Sequence, residues 1–417
     1  MSPQQFQAPR GTSDILPNAQ PLRRLAQQRC EELAMRFGYD RIEVPTFEHA
    51  NLFIRGVGEV TDVVEKETYT FKDRGGDLIT LRPEGTAGVC RAYLEHGMHN
   101  LPQPVRLYYY MPMYRYERPQ AGRFREFWQF GVEAFGDADS AIDAEVIDLA
   151  WSTLREFGVT DVSLLLNSIG DKESRPNYLE ALREYFTPHL KMLSPDDQRR
   201  LETNTLRILD SKDDAIQPLL ADAPKSIDYL SSESKTHWES LLAHLDSLGI
   251  SYEVTHNLVR GFDYYTHTVF EFVPSSNRRQ STILAGGRYN GLIEELGGKS
   301  TPGIGFAMGI ERLIEESANR GGIEPPPQPK KVLIAHLGAG KETALKLTAD
   351  LRRAGVPAIL GPSRGLKSQL RYAGSIEATH AVIIGEEEIA KGKVVIRDLE
   401  KSEQLETPFE NVLSLLN

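Results

Sequence analysis

MYRYERPQAGRFREFWQFGVEAFG, residues Met113 to Gly136, alternates polar and apolar positions on either side of RPQAG, the pattern of two strands joined by a loop. Such a hairpin gathers Arg115, Glu117, Arg123, Arg125, Gln129 and Glu133 within one short span. A solvated, ion-paired hairpin would explain the charges, but not so many arginines interleaved with aromatics. Planar guanidinium forks suit a phosphate, which takes bidentate donors and needs its charge neutralised during displacement.

Four further segments surround this one. LRPEGTAG, Leu81 to Gly88, puts Glu84 and Thr86 just after a strand, and on its own reads as a helix N-terminus. LVRGFDYYTHTVFEF, Leu258 to Phe272, combines Arg260, Asp263 and the pair Tyr264–Tyr265 with an alternating strand; AGGRYNGL, Ala285 to Leu292, follows it. GIGFAMGIERL, Gly303 to Leu313, has glycines that permit close backbone approach ahead of a helix bearing Arg312. At its simplest, Arg260 pairs with Asp263 three residues on.

Upstream, Leu22, Leu25, Ala26, Cys30, Leu33, Ala34 and Phe37 recur at helical spacing up to Gly38, and a strand Arg41 to Val44 runs into Pro45. From about Ala150 to Val254 the pattern turns to helices and loops, with NSIGD at Asn167 to Asp171 and NTLRILDSK at Asn204 to Lys212. It reads as an insertion interrupting an antiparallel sheet. The proline-rich stretch Gly321 to Lys330 marks a boundary that no packed element can cross. Beyond it, apolar runs at Val332 to Leu337, Val356 to Leu360 and Ala381 to Ile384 alternate with helical patterns at Glu342 to Ala354 and Leu366 to Ala373. That alternation predicts a mainly parallel sheet, with Lys393 to Leu399 as an added edge.

The 417 residues allow two or three domains. No stretch approaches the roughly 20 apolar residues that span a bilayer, and the N-terminus lacks a secretory pattern. Two isolated cysteines, Cys30 and Cys90, fit a reducing compartment and exclude a cysteine zinc site. A net charge of −11 argues against non-specific coating of nucleic acid. From Lys330 onward, however, 13 basic residues face 11 acidic ones, so that segment is +2 and the remainder −13. HLGAGKET at His336 to Thr343 fails as a phosphate loop, since Ala335 stands where its first glycine belongs and Glu342 follows Lys341. His96 and His99 lie in a polar turn without clustered acids, so no metal site is expected there.

Taken together and in order, these segments resemble the histidyl-tRNA synthetases. Met113 to Gly136 looks like motif 2 and Gly303 to Leu313 like motif 3 of the class II aminoacyl-tRNA synthetases, while RGFDYY narrows the amino acid to histidine. The resemblance implies an α+β architecture: a catalytic core at 1–320 built on an antiparallel sheet, with a helical insertion at about 171–250. A linker at 321–330 and an anticodon-binding-like α/β domain at 331–417 complete it. It implies L-histidine, ATP with Mg²⁺ and tRNA(His) as substrates, no permanently bound cofactor, a homodimer formed partly through Arg41 to Pro45, and a cytoplasmic location. Arg115 and Arg312 would hold ATP phosphates, Glu117 the adenine side and Arg123 the far phosphates. Arg260 would contact the histidine carboxylate and the α-phosphate, and is implied with Arg115 as catalytic. Glu84, Thr86 and Gln129 would take the α-amino group; Glu133 and Tyr265 would bracket the imidazole beside Tyr264. Gln120 and Arg125 would meet the tRNA acceptor end. An anionic carboxylate with a phenol satisfies both imidazole nitrogens and rejects apolar side chains of similar size.

Two positions depart from the family pattern: Asn290 stands where GGRYDGL has an acid, and Thr205 where proline commonly follows Asn204. A non-catalytic, histidine-sensing regulatory subunit of ATP phosphoribosyltransferase is the competing relative. It usually lacks the C-terminal module and the catalytic arginines, all of which this sequence keeps.

Overall fold

The computed structural model describes residues 6–57, 67–117, 124–275, 282–327 and 330–416. The chain divides into two compact units, Met1–Pro325 and Pro326–Asn417. Among the described residues no helix is long and apolar enough to cross a membrane.

The first unit contains β1 (Asp40–Arg41), β2 (Phe47–His49), β3 (Tyr69–Lys72), β4 (Leu78–Leu81), β5 (Val105–Tyr114), β6 (Glu126–Phe135), β7 (Val162–Ser168), β8 (Glu253–Val254), β9 (Thr266–Pro274), β10 (Leu284–Arg288) and β11 (Gly303–Gly309). Eight of these form one sheet in the order β1-β5-β6-β11-β10-β9-β7-β8, and β2-β4-β3 form a small antiparallel one. All neighbours in the large sheet run antiparallel except the two outermost pairs, β1–β5 and β7–β8.

The hairpin predicted from the motif is β5–β6, whose ten-residue register runs from Val105 opposite Phe135 to Tyr114 opposite Glu126. Side chains alternate between sheet faces, so Tyr108 and Tyr110 enter one core while Tyr109, Met111 and Met113 enter another. The first core receives Ala26, Cys30, Leu33 and Ala34 from helix Gln20–Arg36, and Ile142, Val146, Leu149 and Ala150 from helix Ser140–Glu156. Arg288, fully buried, ties β10 to the latter helix by donating from Nε to Asp143 at 2.9 Å. That pair lies in the structural interior. The second face carries the cavity described below.

Several elements differ from the sequence expectation. The strand predicted at Arg41 to Val44 is reduced to Asp40–Arg41, parallel to β5, and one further bond from the Ile42 N–H to the Tyr108 carbonyl. Within the stretch read as helices and loops lies β7; its leucine run suggests helix, but pairing on both sides holds it extended. The helical insertion is then the crossover between β7 and β8, which lie side by side in parallel. Thr205 opens a 3-10 helix there, its hydroxyl donating to the Leu201 carbonyl at 3.1 Å.

The second unit contains β12 (Val332–His336), β13 (Ala358–Leu360), β14 (His380–Ile384), β15 (Lys393–Asp398) and β16 (Gln404–Pro408), ordered β13-β12-β14-β15-β16. The first three are parallel, as two crossover helices require, and the last two antiparallel. The strand expected at the edge, Lys393 to Leu399, is instead covered by β16, whose sequence QLETP carries little apolar signal. His336 to Thr343 is an ordinary strand-to-helix turn.

Candidate active site

Positions 127, 129, 131 and 133 of β6 share one face of the sheet. On the neighbouring strand β11 the facing residues are Gly305, Ala307 and Gly309, paired with Glu133, Gly131 and Gln129. Three small residues in a row leave a hollow. It forms a cavity of about 370 Å³, within the size range of small-molecule sites. Close approach is needed as well as space: a Cβ on Gly305 would sit 2.1 Å from Glu133 Oε2, and one on Gly131 would sit 2.3 Å from the Tyr109 ring.

Of the residues picked out in the sequence, Glu84, Thr86, Arg115, Glu117, Gln129, Arg260, Tyr264, Tyr265 and Arg312 all line this cavity. Glu133 lies beneath it, 1% exposed. Its carboxyl accepts from Thr86 Oγ1 at 2.7 Å, from the Tyr289 hydroxyl, and from the Tyr109 hydroxyl at 3.4 Å. Burial, which those hydroxyls only partly offset, pushes it up to about 8. Burial thus favours the neutral acid over the anion expected from the sequence, while the three hydroxyls favour the anion. Glu84 is both wall and cap: Oε2 accepts from the Thr86 N–H at 2.6 Å and Oε1 from the Ala87 N–H at 2.9 Å, at the start of helix Thr86–Glu95. Gln129 Oε1 is buried without a partner among the described residues and lines the hollow, a free acceptor for a donor-rich ligand.

The cations converge from three elements. Arg115, at the end of β5, donates from Nε to the Pro83 carbonyl at 2.8 Å and lies over the Phe127 ring at 5.4 Å. Arg312 donates to the Thr282 carbonyl at 2.6 Å. Arg260 pairs with Glu271, not with Asp263, which instead accepts from Asn204. The fold brings Glu271 of β9 to Arg260, nearer than the residue three along the chain. Arg260 Nε has no partner among the described residues.

Arg125 does not reach the cavity; its guanidinium stacks at 3.9 Å on the Tyr116 ring and donates to the Glu117 carbonyl. Gln120 and Arg123 lie outside the described residues. Asn290 Oδ1 accepts from Gly303 N–H at 3.3 Å and from Arg288 Nη1 at 3.4 Å. Sequence reasoning gave no role to Tyr109, Tyr289, Glu271 or Glu311. Glu311 lines the cavity mouth and accepts from Arg23 Nη2 at 2.9 Å and from the Trp128 N–H at 3.0 Å. Its place beside Arg312 in the motif was the only available signal. His96 and His99 join no group of three or more potential metal ligands among the described residues.

Three guanidinium groups facing carboxyl, amide and phenol groups across one hollow can bind an amino acid and a nucleotide together. Comparison with known proteins agrees. A model of the histidyl-tRNA synthetase family matches residues 11–313, and one of the anticodon binding domain matches residues 331–417. A histidine–tRNA ligase of Dehalococcoides mccartyi is 48% identical over 411 residues, 98% of each chain, and one of Desulforamulus reducens is 48% identical over 97% of each. The solved apo histidyl-tRNA synthetase of S. aureus superposes with a TM-score of 0.82 at 38% identity, covering 99% of this chain and 100% of that one. A Bacillus halodurans chain described as an ATP phosphoribosyltransferase regulatory subunit/histidyl-tRNA synthetase shares the fold at TM-score 0.64 and 23% identity, over 92% of this chain and 99% of its own. Sheet, cavity and matches define a class II aminoacyl-tRNA synthetase. Within that class, the chain belongs to the histidyl-tRNA synthetase family.

Proposed function

We propose that this cavity joins histidine to ATP and passes the histidyl group to tRNA(His), so that the chain works as a histidine–tRNA ligase. The observation that carries the reading is the convergence of Arg115, Arg260 and Arg312 with Glu84, Thr86 and Gln129 on one cavity. A histidine-sensing subunit without catalysis would need neither the three arginines nor a domain matching residues 331–417.

In the first step the histidine carboxylate attacks the α-phosphorus of ATP, which arrives as its Mg²⁺ complex, and pyrophosphate leaves. The carboxylate is already ionised at neutral pH, so no general base is needed; in-line placement and charge neutralisation are. Arg260 bridges carboxylate and α-phosphate, Arg115 and Arg312 hold phosphates, Glu117 takes the adenine side, and Arg123 the far phosphates. Glu84, Thr86 and Gln129 receive the α-ammonium, for which the unpartnered Gln129 Oε1 is suited. Glu133 and Tyr265 bracket the imidazole beside Tyr264. In the second step the 3′-terminal ribose hydroxyl of tRNA attacks the acyl carbon and AMP leaves, with Gln120 and Arg125 at the acceptor end.

On the same reading residues 1–320 form the catalytic core with an insertion at about 171–250, 321–330 the linker and 331–417 the anticodon-binding module. The chain works as a cytoplasmic homodimer.

The test is substitution of Arg260, whose guanidinium must donate to two anions at once and stays charged at every working pH. Losing one preorganised donor typically costs on the order of a hundredfold to a thousandfold in rate. Arg260→Ala should lose at least that in histidine-dependent pyrophosphate exchange while folding normally, and Arg260→Lys should recover part of it. Near-normal exchange by a folded Arg260→Ala protein would remove the residue from the reaction.

A further inference from the structure

The segment NTLRILDSK, Asn204 to Lys212, contributes nothing to the wall of the active cavity, yet it grips the segment that does. Helix Pro195–Thr203 ends at Asn204, and a 3-10 helix follows at Thr205–Asp210. With about three residues per turn, positions three apart lie one above the other. The Arg207 N–H donates to the Asn204 carbonyl at 2.9 Å and closes that turn. Both side chains then reach the same stretch of chain: Asn204 Nδ2 donates to Asp263 Oδ1 at 2.6 Å, and Arg207 Nη1 to the Gly261 carbonyl at 2.9 Å. Ile208 and Leu209, buried in the insertion, anchor the turn.

The gripped stretch needs holding. Residues 255–265, between β8 and β9, have no helix or strand of their own. The active cavity lies on one side of it, and a second cavity of about 210 Å³ is lined by Arg175, Asn204, Arg207, Phe262, Asp263 and Tyr265. Leu258, Val259, Tyr264 and Tyr265 pack into the core, but the stretch between them, Arg260 to Asp263, borders open space and leans on its hydrogen bonds for its position. It carries Arg260 and runs directly into Tyr264 and Tyr265.

We infer that Asn204 and Arg207 are positioning residues: they hold the loop so that Arg260, Tyr264 and Tyr265 meet histidine, and the helical insertion thereby sets affinity for the amino acid more strongly than for ATP. This rests on reading the cavity as the histidine site. A hydrogen bond to a charged group is worth roughly tenfold in an equilibrium, or more.

The experiment is pyrophosphate exchange by the full chain, with KM measured separately for histidine and ATP and thermal unfolding followed alongside. Asn204→Ala should raise the histidine KM on the order of tenfold, raise the ATP KM much less, and leave Tm nearly unchanged. Asn204→Asp, which sets two carboxylates against each other, should be worse. Asn204→Asp combined with Asp263→Asn exchanges donor and acceptor and should restore the histidine KM. That rescue decides the matter even if Asn204→Ala fails to fold. A folded double variant as impaired as Asn204→Asp, or an Asn204→Ala protein with wild-type histidine KM, overturns the inference. So does a loss of Tm and kcat together with histidine KM unchanged. Wild-type protein without histidine-dependent exchange would instead overturn the parent reading of the cavity.

Discussion

At the scale of single residues the ionisation of Glu133 has two measurable consequences. Its folded pKa, about 8, lies above the ordinary carboxyl value, so the stability of the neutral form is fully present below about pH 4.3 and is lost as pH rises through 8. Glu133→Gln cannot ionise. Its Tm relative to wild type should therefore climb between pH 5 and pH 9 in a thermal-shift series, while histidine activation falls; a flat difference would show that the carboxyl is not buried as described. Free imidazole titrates near 6.5, so below that pH both partners carry a proton and one must leave on binding. The histidine KM should then rise about tenfold per pH unit below 6.5, with the ATP KM following a different profile; parallel profiles would contradict an imidazole–Glu133 contact. Much of this site was legible because Gln129 and Glu133 are polar residues at the alternate positions of an apolar strand. Tyr109 and Tyr289 were not, because an aromatic in an apolar run reads as core until its hydroxyl is seen on a carboxyl.

At the scale of elements, β11 is the part most exposed to failure. Gly305→Ala places a methyl against Glu133 and the Val132 carbonyl, and overpacking of this kind typically costs about 1–3 kcal/mol. The variant should melt lower than wild type and lose histidine activation more than its stability loss explains. An unchanged Tm would show that the floor has slack. The glycine spacing made this floor readable, as the alternation made β5–β6 readable. Periodicity failed where the partner supplies the order: β7 is extended because β8 and β9 flank it, and β16 because it covers β15. Neither strand announces that in its own residues. The Arg260–Glu271 pair was hidden for the same reason, since its geometry belongs to the tertiary fold and not to chain separation.

For the whole molecule, the division at Pro325 separates a unit holding the entire cavity from one carrying the chain's basic balance. Cutting within Pro325 to Pro327 should leave histidine-dependent exchange measurable and mainly damage tRNA charging, because the cores are separate and phosphate contacts favour the positively balanced part. Charging by the truncated protein at the full-length rate would remove the second unit from tRNA recognition. The boundary was legible because prolines stop any packed element, whereas the insertion's grip on Gly261 and Asp263 joins residues more than fifty apart and exists only in the folded chain. The central claim, that one cavity selects and activates histidine, is tested most directly by exchange of labelled pyrophosphate into ATP by the intact chain with each amino acid in turn. Histidine should support exchange and the others should stay at background. Background exchange with histidine, or equal exchange with an apolar amino acid of similar size, would contradict the account.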